Sequence, residues 1–190
     1  MQEARVPSNA SCHSKIPFGT SFSMTQTSIT PVDVSHGFQV RWVFGGVTEA
    51  LRNQLIAFWL REGALSNPDE AWARSFEVAC VLQENENDHI AGVCTVAIRM
   101  DPHHRSYGFV RMFSRPGSRL IGLKVCLIER MIEGFTKLAH EPGAPHRLVL
   151  TIENRKLERR AAQRILGRLG FVHIGTAANG ELVMQRALTT

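Results

Sequence analysis

Between Val78 and Phe113 three apolar runs of strand length follow one another, separated only by short polar connections. Val78-Ala-Cys-Val-Leu82 leads through the turn Glu84-Asn-Glu-Asn-Asp88 into Ile90 to Ile98. The loop Asp101-Pro-His-His-Arg105 then leads to Tyr107-Gly-Phe-Val-Arg-Met-Phe113. Connections this short join antiparallel neighbours, because a parallel crossover needs about a dozen residues or more. The spacing predicts an antiparallel meander at the centre of the fold.

The segments on either side have their own signals. Leu120 to Ala139 is the longest helical pattern, with Leu123, Leu127, Ile128, Met131, Ile132 and Phe135 on one broad face, and Glu141-Pro-Gly-Ala-Pro145 stops it. Leu148-Val-Leu-Thr-Ile152 reads as a short strand. Leu157 to Leu169 reads as a helix ended by Gly170, and Val172–Gly175 with Leu182–Ala187 as a hairpin around Asn179-Gly180. Ahead of the meander, Phe38 to Phe44 reads as a strand. Thr48 caps a helix carrying Leu51, Leu55, Phe58, Trp59 and Glu62 at helical spacing. Asn67-Pro68-Asp69-Glu70 starts a second helix with a cap, a first-turn proline and acids at the positive dipole end. That helix should be short, since Phe76 to Leu82 already reads as a strand. The sum is an α/β fold, a mixed and largely antiparallel seven-stranded sheet with helices on both faces.

Residues 1–36 are rich in Ser, Thr and Pro without a period and are expected to be a flexible segment, leaving 37–190 as the folded domain. Met24, opening MTQTSIT, offers a second translation start. No apolar run reaches about 18 residues and the first residues lack a signal-peptide apolar core, so no membrane span and a cytoplasmic location are expected. Cys12, Cys80, Cys94 and Cys126 form no C-x-x-C pair, which argues for reduced, mostly buried thiols and against a metal site or disulfide frame. The net charge of +5 is uneven: Arg111 to Arg168 is basic and Glu62 to Asp101 mainly acidic. A basic half suits an anionic partner, whether a phosphorylated cofactor, nucleic acid or an acidic protein. Lys156, Arg160, Arg164 and Arg168 step by four along one helix face, opposite Leu157, Ala161, Ile165 and Leu169. Such a stripe could bind nucleic acid, but a solvated face is the default and aromatic interleaving is sparse, so nucleic acid is not the favoured partner.

Two segments carry a family resemblance. A strand runs into Ser114-Arg-Pro116-Gly-Ser-Arg119-Leu-Ile-Gly122-Leu-Lys124 and then a long helix, which resembles the pyrophosphate loop Q/R-x-x-G-x-G/A of the GNAT acyltransferases. Asn154 and Arg168-Leu-Gly170-Phe171 resemble that family's N…Y-x-K-x-G-F segment. The likeness spans Phe38 to Leu188. Three positions depart from it: Lys124 replaces Gly or Ala, Leu166 replaces the proton-donating tyrosine, and Asn154 to Phe171 is longer than usual.

The resemblance implies transfer of an acetyl or other acyl group from acyl-CoA to an amine, on a small molecule or a protein, without a metal. It implies cofactor contacts from Met112, Phe113, Arg115, Gly117, Ser118, Arg119, Gly122, Lys124 and Asn154. A helix N-terminus with unpaired N–H groups suits a diphosphate, and glycines allow close approach. Catalysis would need a base, an oxyanion donor and an acid. The candidates are Glu77 as base, a main-chain N–H near Met112 or Phe113, and Tyr107, the only tyrosine, as acid. Asn154 is a further catalytic candidate, and His103 and His104 are alternative bases. The other reading is a GNAT-like domain that has lost catalysis and binds acyl-CoA, a protein or nucleic acid, with Lys124 and Leu166 as its signature.

Overall fold

The computed structural model describes residues 32–34, 37–118, 121–152 and 156–188. In chain order its elements are β1 (Val32–Val34), β2 (Phe38–Trp42), α1 (Glu49–Arg61), α2 (Pro68–Ser75), β3 (Val78–Glu84), β4 (Ile90–Met100) and β5 (Ser106–Ser114). These are followed by α3 (Ile121–Leu138), β6 (Arg147–Ile152), α4 (Lys156–Arg168), β7 (Val172–Thr176) and β8 (Leu182–Ala187).

Local chemistry sets most of these boundaries. The Thr48 hydroxyl accepts from the Leu51 N–H at 3.3 Å to open α1, and the Asn67 side chain accepts from the Asp69 N–H at 2.8 Å to open α2. Pro68 follows that cap at the position where its missing N–H costs nothing. α2 keeps its last turn beyond Ser75, because the Phe76 and Glu77 N–H groups still donate to the carbonyls of Ala73 and Arg74. β3 therefore starts at Val78, not at Phe76 as the apolar run suggests. Gly170, at φ +78°, takes the left-handed conformation that ends α4.

The strands form one sheet in the order β1-β2-β3-β4-β5-β6-β8-β7. All pairs are antiparallel except β5 with β6. All seven expected strands are there, and β1 adds a three-residue strand at the edge of β2, inside the 1–36 segment read as flexible. Two apolar layers sandwich the sheet. On one face Leu55, Phe58 and Trp59 of α1 and Ala71 of α2 pack against Val81 and Val93. On the other, Leu123, Leu127, Met131 and Phe135 of α3 and Leu166 of α4 pack against Leu82, Cys94, Val96 and Leu148. Burying a side chain of this kind contributes roughly 1.5–3 kcal/mol. No described helix is long and apolar enough to cross a membrane.

Candidate active site

The one parallel ladder is also incomplete. β5 and β6 pair from Tyr107↔Arg147 to Val110↔Leu150, and there the register ends. β5 continues to Ser114, still paired with β4 as far as Gly92, while β6 continues along β8 to Ile152. The two strands make a V. Its closed end is pinned by buried Ser106, whose hydroxyl donates to the Ala144 carbonyl at 2.6 Å and lies 2.8 Å from His146 Nδ1. The His146 N–H donates in turn to the Ser106 carbonyl at 3.0 Å. Main chain from Arg111 to Phe113 lines the open end, where Met112 and Phe113 were expected.

Past the open end, β5 runs into a single 3-10 turn, Pro116–Ser118, and then α3. Among the described residues, a Cβ added to Gly117 or to Gly122 would meet nothing within 4 Å. Gly117 lies in the turn before α3 and Gly122 in its first turn, and both leave open space beside the described residues. Lys124 is exposed in the first turn of α3. Arg115 forms an ion pair with Glu84, and its backbone N–H donates to the Ala91 carbonyl. A side-chain hydrogen bond from Asn87, and then Arg115, holds the Glu84 carboxyl below its ordinary pKa. Arg119, Asn154 and the side chain of Ser118 lie outside the described residues.

Across the sheet, on the α1–α2 face, a pocket of about 170 Å³ abuts the V. Trp59, Leu65, Arg74, Thr95, Arg111 and Phe113 are among the residues that line it. Thr95 and Arg111 are direct cross-strand partners, and Phe113 packs edge-on against Phe58 with ring centroids 5.7 Å apart. Thr95 is 3% exposed, and its hydroxyl has no hydrogen-bond partner among the described residues. The Glu77 carboxylate stands beside this pocket, 3.3 Å from the Arg111 guanidinium and 3.4 Å from that of Arg99.

The structure thus brings Met112, Phe113, Gly117, Gly122 and Lys124 to one end of β5, with Glu77 beside Arg111 nearer the middle of the strand. It does not bring Tyr107 there. Tyr107 pairs with Arg147 at the closed end of the V, about 17 Å along the strand from Met112 at ~3.4 Å per residue. Its hydroxyl lies 3.5 Å from Asp101 Oδ2, next to the exposed turn that holds His103 and His104. Leu166, where the resemblance puts a tyrosine, is 5% exposed within the α3–α4 layer. Arg74, Thr95 and Arg111 were missed by sequence reasoning. The available signal was Arg111, the one charge inside the apolar run Tyr107–Phe113. No cluster of three or more metal-ligating side chains occurs among the described residues.

No family model matches this sequence, and no curated protein matches it. Solved structures do. A GNAT-family acetyltransferase from Streptococcus pneumoniae superimposes with TM-score 0.59 at 18% identity, over 80% of this chain and 99% of that one. The ribosomal-protein-S5-alanine acetyltransferase from Vibrio fischeri gives 0.60 at 17% identity, over 84% and 97%. A GNAT-superfamily phosphinothricin acetyltransferase from Sinorhizobium meliloti, solved in complex with acetyl-CoA, gives 0.59 at 18%, over 80% and 88%. Likeness of this extent at such low identity establishes an architecture, and the architecture of this chain is the GNAT fold.

Proposed function

We propose that the protein transfers an acyl group, acetyl in the simplest case, from acyl-CoA to an amine. The observation that carries this reading is the V between β5 and β6 opening onto the glycine-bearing start of α3, with a separate pocket on the opposite face of the same strand end. Acyl-CoA, as co-substrate, supplies an electrophilic thioester carbonyl. The start of α3 and Lys124 hold its diphosphate, where helix N–H groups and a cation favour an anion. A main-chain N–H along Arg111–Phe113 donates to the carbonyl oxygen as charge builds on it. Glu77 takes the amine proton, directly or through water. The amine nitrogen bonds to the acyl carbon, the carbon–sulfur bond breaks, and the departing thiolate takes a proton from water, since Leu166 has none to give.

The test is calorimetry with coenzyme A, followed by thiol release from acetyl-CoA with an amine panel. Coenzyme A should bind, and thiol should appear only when an amine is present. A protein that binds no coenzyme A would overturn the reading. The second reading, an acyl-CoA-binding domain with little turnover, is favoured by the buried Leu166. It would show as tight binding without thiol release.

A further inference from the structure

We infer that the acceptor amine carries a carboxylate, an amino acid being the simplest such molecule, and that Arg74, Arg111 and Thr95 recognise it; the inference rests on the acyltransfer reading. Arg74 and Arg111 are the only charged residues among the described ones that line the pocket, and no described acid lines it. Each is partly engaged at its rim, Arg74 with exposed Glu70 and Arg111 with Glu77. A guanidinium has five N–H donors, so one carboxylate contact leaves donors for another. Thr95 adds a buried hydroxyl that no described residue satisfies, and leaving such a group unpaired is unfavourable. Two forked cations and a hydroxyl lining one pocket match the oxygens of a carboxylate.

The charges that line the pocket are cationic among the described residues, and the acids beside it, Glu70 and Glu77, are already paired with them, so an ammonium ion finds no unpaired anion there. When a carboxylate anchors the molecule, the neighbouring guanidiniums also lower the pKa of its amine and favour its nucleophilic form. Size agrees. About 170 Å³ is well under the ~300–1,000 Å³ of pockets for drug-sized ligands, while Trp59, Leu65 and Phe113 give an apolar wall for a small side chain. Arg111 is also one residue past the last β5–β6 pair, so a carboxylate held there keeps its α-amine near the open end of the V.

The experiment compares amino acids with their own carboxamides, which keep the amine and side chain and lose only the charge. Binding to the protein loaded with coenzyme A is measured by calorimetry, and turnover by thiol release. The acids should bind roughly 10- to 100-fold more tightly than the amides, the range of a charge-assisted hydrogen bond. Arg111→Gln and Arg74→Gln, with native circular dichroism, should each compress that ratio towards one, and Arg111→Lys should restore part of it. Equal binding of acids and amides, binding of neither, or a ratio that survives both substitutions would overturn the inference. Acids bound selectively without any thiol release would support carboxylate recognition by Arg74, Arg111 and Thr95 and count against acyl transfer.

Discussion

Trp42 lies flat against Gly134: a Cβ added to that glycine would fall 2.2 Å from the indole ring. Phe135 meets the same ring edge-on, with centroids 5.1 Å apart, so β2 and α3 approach through a gap that only a glycine leaves. Gly134→Ala gains up to ~1 kcal/mol of helix propensity but drives a methyl into a rigid ring, and overpacking of this kind costs about 1–3 kcal/mol. The variant should be less stable than the parent in urea unfolding, whereas Gly167→Ala in α4, where a Cβ meets nothing, should be as stable or more so.

Gly122→Glu should leave the fold intact and weaken coenzyme A binding by about tenfold or more, since the added carboxylate projects into open space and repels phosphate. Lys124→Ala should weaken the same ligand most at low salt, and should raise the melting temperature of the unliganded protein slightly by removing a cation from the positive end of α3. Native affinity in both variants would mean that diphosphate does not bind at this loop.

Glu84 makes the protein sensitive to acid. Its folded pKa is lowered, first by the Asn87 hydrogen bond and then by Arg115, so its stabilisation is fully present above the ordinary value of 4.5 and is lost as pH falls through the folded value. Glu84→Gln should therefore be less stable than the parent at pH 7, with the gap closing as pH falls below the ordinary value of 4.5. Melting curves from pH 7 to pH 3 check this. A gap that stays constant would assign the loss to packing alone.

Cys80 and Cys94 face each other across β3 and β4, both buried. Burial pushes the Cys94 thiol up to about 12, and burial with the neighbouring Cys94 raises Cys80 as well. At pH 8 neither offers appreciable thiolate, so both should react with a thiol reagent only at the rate at which the domain opens. Fast labelling of either in native protein, read by peptide mass, would contradict the close packing of this pair.

Features written in adjacent residues were legible in advance: the Thr48 and Asn67 caps, the Asn179-Gly180 turn, the long apolar face of α3. Each depends on chemistry within a few positions. β1 was not legible, because Val32–Val34 becomes a strand only through the edge that β2 offers. The phosphate-type loop was visible as a motif, but the ion pair of its Arg115 with Glu84 was not, because Glu84 ends a strand 31 residues away. The pocket on the α1–α2 face was invisible for the same reason. Arg74, Thr95 and Arg111 come from α2, β4 and β5, and only the Thr95↔Arg111 register unites the latter two.

The unfinished ladder at Val110 and Leu150 divides the sheet mechanically. Four residue pairs join β5 to β6, against nine between β4 and β5 and six between β6 and β8. Separating the β6–β8 flap from the rest therefore breaks fewer backbone hydrogen bonds than opening the ladder on either side. The β6 amide protons bonded to β5 should exchange with deuterated solvent through this cheaper opening, ahead of those in β4, which the longer β4–β5 ladder holds. Anything that settles between the strands clamps the flap, so occupancy would be recorded as slowed exchange across β6, including at Leu150, which needs no direct contact with the occupant.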